Sequence, residues 1–221
     1  MRKRKEKMQR RKFIIPRKKQ EKGYKRPPYS SFESGFDGES LSNKIGRFRR
    51  GIRRSIQRIR YGYDEVATWQ VDTWFLNVVP NIIHDLRVNN DGYPTSIAGE
   101  TEAEKVANWN KILRRMEFLF REANEDTCKR KNPYKEEYDA AWEAFTKEYG
   151  ARGEKLKTEK DLAEEIAYGW HHVYGMSDVK GYYADINAKY IEENAAIAEY
   201  RHECLKKGMK LFTKYFWHLW D

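Results

Sequence analysis

The chain has 221 residues, of which 39% are hydrophobic and 35% charged, with a formal net charge of +10. This length suits one domain with an appendage, and no run approaches the roughly 18 apolar residues of a membrane span. Residues 1–63 hold 22 Lys/Arg against 5 Asp/Glu, a balance of +17, while the remainder carries −7; asymmetry of this size points to an anionic partner for the basic part.

Residues 1–28 (MRKRKEKMQRRKFIIPRKKQEKGYKRPP) contain 14 Lys/Arg against Glu6 and Glu21. Like charges at this density disfavour compaction, which predicts a flexible arm. Its one apolar stretch, Phe13-Ile14-Ile15, is too short for the h-region of a secretory signal, so the expectation is a soluble intracellular protein. The segment YSSFESGFDGES that follows is Gly/Ser-rich and reads as a linker, so 1–40 form arm and linker and 41–221 the folded domain. The alternative for the arm is a solvated tail that serves only solubility. Cys128 and Cys204 are far apart, with no CxxC or Cys/His spacing, which argues against a disulfide framework or a structural zinc site.

From Leu41 to Arg60 the apolar residues Leu41, Ile45, Phe48, Ile52, Ile56 and Ile59 recur at steps of 4, 3, 4, 4 and 3, with Ser40 or Ser42 available as N-cap. This is an amphipathic helix. Its other faces carry Lys44, Arg47, Arg49, Arg50, Arg53, Arg54, Arg58 and Arg60 and no acid within the helix. Pairs such as Arg49/Arg53 each cost about 0.2–0.5 kcal/mol, and Gly46 and Gly51 each cost about 1 kcal/mol relative to alanine. Such a helix needs outside support, and the stripe is expected to dock on the core while phosphates or acids of the C-terminal half neutralise the arginines.

Tyr61–Leu86 reads as the central core helix. Trp69, Asp72, Leu76, Val79, Ile83 and Leu86 follow at steps of 3 and 4, and Val71, Trp74, Phe75, Val78 and Ile82 widen the apolar face. Gly62 is placed as the C-cap of the preceding helix and Asp64 as the next N-cap. Pro80 should kink or split the central helix. A loop at Asn89–Pro94 leads to a capping box, Thr101-Glu102-Ala103-Glu104, and a third helix with Val106, Trp109, Ile112, Leu113, Met116, Leu119, Phe120 and Ala123 on its face. Asn132-Pro133 opens a fourth, with Tyr138, Ala141, Trp142, Phe145 and Tyr149 inward. A fifth is expected from Thr158 to about Tyr174, showing Leu162, Ile166 and Trp170. The last segment, Tyr183–Trp220, keeps a 3/4 spacing throughout and is one long helix or two meeting near Gly208, spanning about 50 Å.

No period-2 run of β-branched residues and no fixed-period repeat interrupts this pattern. The predicted fold is all-α: an irregular bundle of five or six helices with a long C-terminal helix, preceded by a flexible basic arm. The expected core includes Trp69, Leu76, Val79, Ile83, Trp109, Leu113, Met116, Phe145, Ile197, Leu211 and Phe216.

Four aromatic motifs, Tyr61-Gly62-Tyr63, Trp69-x-x-Asp72, Gly92-Tyr93-Pro94 and Gly208-x-x-Leu211-Phe212-x-Lys214-Tyr215-Phe216-x-x-Leu219-Trp220-Asp221, stand in the chain. In these the chain resembles a family of small helical proteins encoded in bacteriophage and prophage genomes. The resemblance covers Tyr61–Met116 and the last 20 residues or so; the arm and roughly residues 125–180 depart from it. It implies a viral or prophage origin and a bacterial host cytoplasm, and it transfers no catalytic residue.

Asp72 and Glu193 occupy stripe positions where an aliphatic residue is expected, so each needs a partner or a raised pKa. For Asp72 the expectation is a buried carboxylate bonded to a Trp indole or to an arginine of the basic helix rather than a catalytic acid. Glu199-x-x-His202 has the spacing of a di-iron ligand pair, but the second pair and two further glutamates are missing. No histidine precedes His84-Asp85 to complete a metal-dependent phosphohydrolase, and adjacent His171 and His172 point in different directions on a helix. No GxxxxGK[ST], GxGxxG, HExxH or GxSxG is present. Neither metal nor cofactor is expected, and catalysis has no motif behind it.

The expected function is phosphate-mediated, sequence-independent binding of DNA or RNA. The arm would use Lys3, Arg4, Lys5, Arg10, Arg11, Lys12, Arg17, Lys18 and Lys19, and the helix Arg47, Arg49, Arg50, Arg53, Arg54, Arg58 and Arg60. The alternatives are a protein that binds and modulates a host protein, and an enzyme without a known motif. Aromatics among these cations are too few to favour base stacking. Membrane-surface binding ranks lower, because the helix has no tryptophan and its apolar face is wanted by the core.

Overall fold

Ser40 opens the first helix as expected: its hydroxyl accepts from the Asn43 amide at 3.3 Å, and helix α1 runs over Leu41–Tyr61 to Gly62, whose left-handed backbone (φ 81°) ends it. The computed structural model describes residues 23–25, 39–89 and 92–219. The protein is all-α, with α2 Val71–Asn89, α3 Glu102–Ala123, α4 Lys135–Tyr149, α5 Glu159–Tyr168 and α6 Tyr182–Tyr215. Most of the arm and linker expected over 1–40 lies outside the described residues. Among those described, no helix is long and apolar enough to cross a membrane.

The centre of the fold is α3, not the Tyr61–Leu86 segment. α3 packs along α2 on one side and along α6 on the other, so Trp109, Leu113, Met116, Leu119 and Phe120 are fully buried. α2 is covered by α3 on one face, and Val71 and Ile82 on its other faces stay exposed. Ile83 is buried and Leu76 and Val79 are partly so. Trp69 is not in the core; it precedes α2 on a turn and is 89% exposed. The helix starts late because Asp64 caps that turn instead of the helix: its Oδ1 accepts from the amides of Val66 (3.1 Å) and Ala67 (3.2 Å). Asp72 is exposed in the first turn of α2 rather than buried, since the periodicity that placed it inward assumed a helix covered all round.

Pro80 does not split α2. A proline cannot donate to the carbonyl four residues earlier, here that of Leu76. Asn124 Nδ2, at the end of α3, donates to that oxygen at 3.3 Å, so a neighbouring helix supplies what the proline removed.

The capping box Thr101/Glu104 starts α3 as read from the sequence. Asn132 organises the entry to α4 by accepting from the Tyr134 amide and by donating to the Tyr190 carbonyl and Asn194 Oδ1 of α6, both at 2.9 Å. Ala141 and Phe145 of α4 form a second core cluster with Met176 and Ile186, separate from the α2/α3/α6 core, whereas Trp142 is 40% exposed. α5 is shorter than expected and ends at Tyr168, because Gly169 takes a left-handed conformation (φ 69°). Its expected inward residues Leu162, Ile166 and Trp170 are exposed, so α5 is held by its polar cap and not by an apolar face.

α6 is one unbroken helix of 34 residues. At Gly208 α6 lies close against α3: a Cβ there would lie 2.9 Å from Phe120 Cε1. Beyond it Leu211, Phe212 and Tyr215 close the core, while Phe216, expected inside, begins a short 3-10 turn and is half-exposed.

Candidate functional site

The expected nucleic-acid-binding residues on α1 keep their cationic face, but the apolar stripe beneath them joins neither core cluster of the described residues. α1 makes no extended contact with another helix among the described residues. Leu41, Ile45, Phe48, Ile52, Ile56 and Ile59 are 42–86% exposed. The core does not take this face because α2 and α6 already flank α3, and the second cluster is closed by α4 and α6.

Acids just outside the helix fold back on its arginines, so α1 is less starved of counter-charge than its sequence suggests. Arg47 pairs with Glu39 at 2.6 Å, Arg58 with Asp64 at 2.7 Å, and Arg53 and Arg54 with Glu65 at 2.5 and 3.5 Å. The Arg53 hydrogen bond is the main cause that holds the Glu65 carboxyl below its ordinary range. Lys44 and Arg49 make no ion pair among the described residues, and Arg60 lies over the Tyr61 ring at 5.4 Å. Along one flank Arg49, Arg53 and Arg60, with Ile52, Ile56 and Gln57, line an open groove of about 380 Å3. Lys3, Arg4, Lys5, Arg10, Arg11, Lys12, Arg17, Lys18 and Lys19 lie outside the described residues.

A buried polar node between α2 and α3 escaped the sequence reading. His84 is 3% exposed and Glu117 8%. Glu117 Oε1 receives Arg121 Nε at 3.1 Å and faces His84 Nδ1 at 3.0 Å, and Oε2 receives Arg87 Nε at 3.4 Å. His84 Nδ1 also lies 3.2 Å from Arg87 Nη2, so this ring nitrogen faces both an acceptor and a donor and is shared between the carboxylate and the guanidinium. Arg121 Nη2 also donates to the Tyr24 hydroxyl and to Asn81 Oδ1, and the Tyr24 hydroxyl donates to the same Asn81 oxygen at 3.0 Å. The Tyr24 ring stacks on His84, centroids 3.5 Å apart and planes 15° from parallel. A residue of the expected solvated arm thus sits on the bundle. The signal was present in the sequence: Glu117 is four residues after Leu113 and three before Phe120, the same on-stripe position that singled out Asp72 and Glu193. Chemically the node is a lock, since one carboxylate holds three nitrogen groups and leaves no oxygen directed at open space.

Comparison with protein-family models, curated proteins and solved structures finds no match.

The remaining polar clusters also bind the fold to itself. Glu122, buried beside α6, accepts from the Tyr200 hydroxyl at 3.0 Å and from the Lys129 amide at 3.4 Å. Burial, then contacts with Cys204 and Glu122, keep the Tyr200 hydroxyl above its ordinary range. Cys128 and Cys204 are both buried free thiols. Glu193 pairs with Arg130, from the loop before α4, at 2.9 Å, which supplies the partner its stripe position calls for. Asp161 accepts from the Thr158 amide (2.7 Å), the Thr158 hydroxyl (2.8 Å) and the Tyr174 hydroxyl (2.8 Å), which lower its pKa to about 2. His171 and His172 lie near Glu165 and Glu164. Among the described residues no group of three or more His, Cys, Asp or Glu is placed to hold a metal ion.

Proposed function

We propose that this is a phage- or prophage-encoded, non-enzymatic protein of the bacterial host cytoplasm that binds DNA or RNA through phosphates, using its basic arm and α1, without sequence preference. The observation that carries the reading is the charge of residues 1–63, +17 against −7 for the rest. From outside this segment, Asp64 and Glu65 pair with Arg58, Arg53 and Arg54 and offset only part of it. The open flank of Arg49, Arg53 and Arg60 supports α1 as a contact surface. Phosphate contact releases counterions, so log K falls against log salt with a slope near −0.9 per phosphate on duplex DNA.

Gel-shift titration of the full chain at two salt concentrations tests this. Removal of residues 1–40, or the double change Arg49→Glu/Arg60→Glu, is expected to weaken binding to all sequences alike and to flatten the salt slope. No binding at about 50 mM salt, or binding indifferent to salt, rejects phosphate recognition.

A second reading, a protein that binds and modulates a host protein, is favoured by one specific observation. The α1 stripe exposes six large apolar residues, which phosphates alone would not cover and which a protein partner would.

A further inference from the structure

The exposed stripe of α1 has the register of a helix-pairing seam. Ile45, Ile52 and Ile59 recur at steps of seven, and Leu41 and Phe48 each precede one of them by four residues, which makes the isoleucines heptad a positions and Leu41 and Phe48 d positions. Ser55 takes the third d position and turns its hydroxyl onto the Gly51 carbonyl at 2.9 Å. At 100° per residue the stripe spans about 80° of the helix circumference, the width of a coiled-coil seam and narrower than a core-facing surface.

What borders the seam selects its occupant. Of the e and g positions, Lys44, Arg49 and Arg58 carry positive charge, Ser42, Gly51 and Ile56 none, and no position is acidic. A second copy of α1 would therefore set like charges across both edges, which coiled coils use to reject a partner. A bilayer surface rewards a broad apolar face with interfacial aromatics, and this stripe is narrow, with Phe48 its one aromatic. Gly51 is buried and Arg58 is paired with Asp64, whereas Lys44 and Arg49 make no ion pair among the described residues, so charge complementarity to an incoming acid is offered by Lys44 on one edge and Arg49 on the other.

We propose that α1 is a docking helix for an acidic amphipathic α-helix of a partner protein. The partner lays its own a and d residues on Ile45, Ile52 and Ile59 and sets Asp or Glu against Lys44 and Arg49. The proposal rests on the partner-protein reading above and names the class of partner.

The test uses the full chain and three labelled synthetic four-heptad peptides with Ile at a and Leu at d, differing only in Glu, Gln or Lys at every e and g. A fourth peptide has the Glu composition with its apolar residues shuffled off the seam. Fluorescence anisotropy is expected to show the Glu peptide binding about tenfold or more tighter than the Gln, Lys and shuffled peptides. Ile52→Asp, an exposed position, should weaken the Glu peptide about 30-fold, the loss of one buried aliphatic side chain, with the melting temperature unchanged. If the Gln or Lys peptide binds as tightly as the Glu peptide, the acidic class is overturned while the partner-protein reading stands. If no seam peptide binds, that reading falls with it. Binding of vesicles made of equal phosphatidylcholine and phosphatidylglycerol, lost in Ile52→Asp and without any peptide preference, would reassign the seam to a lipid surface and overturn the proposal. A self-associated species by sedimentation, lost in the same variant, would reassign it to a second copy.

Discussion

The carbonyl of Leu76, deprived of its helical donor by Pro80, accepts instead from Asn124 Nδ2, which also lies 3.1 Å from Asn77 Oδ1. Asn124 is buried, and its own Oδ1 caps the amide of Asp126 at 3.0 Å. A fault in one helix is thereby repaired by the end of the next, and the repair fixes the axial position of α2 against α3.

Asn124→Ala should therefore cost about 1–3 kcal/mol, the cost of leaving buried polar groups unsatisfied. Pro80→Ala returns an amide donor to the Leu76 carbonyl. In a double-mutant cycle followed by urea unfolding, the Asn124→Ala penalty should shrink by at least about 0.5 kcal/mol in the Pro80→Ala background. Strict additivity would show that the Leu76–Asn124 bond has no energetic role.

Glu117 joins His84 and Arg87 of α2 to Arg121 of its own helix. Its replacement by alanine leaves two guanidinium groups and an imidazole packed without their common acceptor, and removing one partner from such a buried set costs about 3–5 kcal/mol. Chemical denaturation of Glu117→Ala measures it. A loss below about 1 kcal/mol would mean that water replaces the carboxylate and that the node is looser than its distances indicate.

Asp161 gives α5 a pH dependence of known sign. Its pKa is lowered from 3.8 to about 2, first by the Thr158 amide, then by the Thr158 and Tyr174 hydroxyls. A group whose folded pKa is depressed contributes its stabilisation above the unfolded value and loses it as pH falls through the folded one. The difference in melting temperature between the natural chain and Asp161→Asn should thus be full above about pH 4.5 and narrow steadily as pH falls toward 2. A difference that stays constant over that range would assign the role of Asp161 to shape and not to charge.

Local signals were legible in the residues themselves. The Ser40, Gly62 and Thr101/Glu104 caps, the α3 face and the long α6 follow from short-range chemistry that a helix carries wherever it sits. Asp72 and Trp69 misled because a 3/4 period says which side of a helix is apolar and not whether anything covers it. On α2 only one side is covered, so Asp72 faces water, and Trp69 falls on the preceding turn.

The sequence by itself determined that the chain is helical, where α1, α3 and α5 begin, and that its positive charge is gathered before Tyr63. Only the tertiary structure decided which helix is central, since α3 owes its burial to α2, the helix before it, and to α6, which lies far along the chain. It also decided that Asn124 serves Leu76, that Glu117 gathers His84 and both arginines, and that the α1 stripe is left outside. Apart from the Glu117–Arg121 pair within α3, each of these depends on contacts between residues at least 30 positions apart, or on the lack of room for one more helix at the core. Periodicity ranks the faces of a helix, but burial is settled by competition among helices for a limited apolar surface.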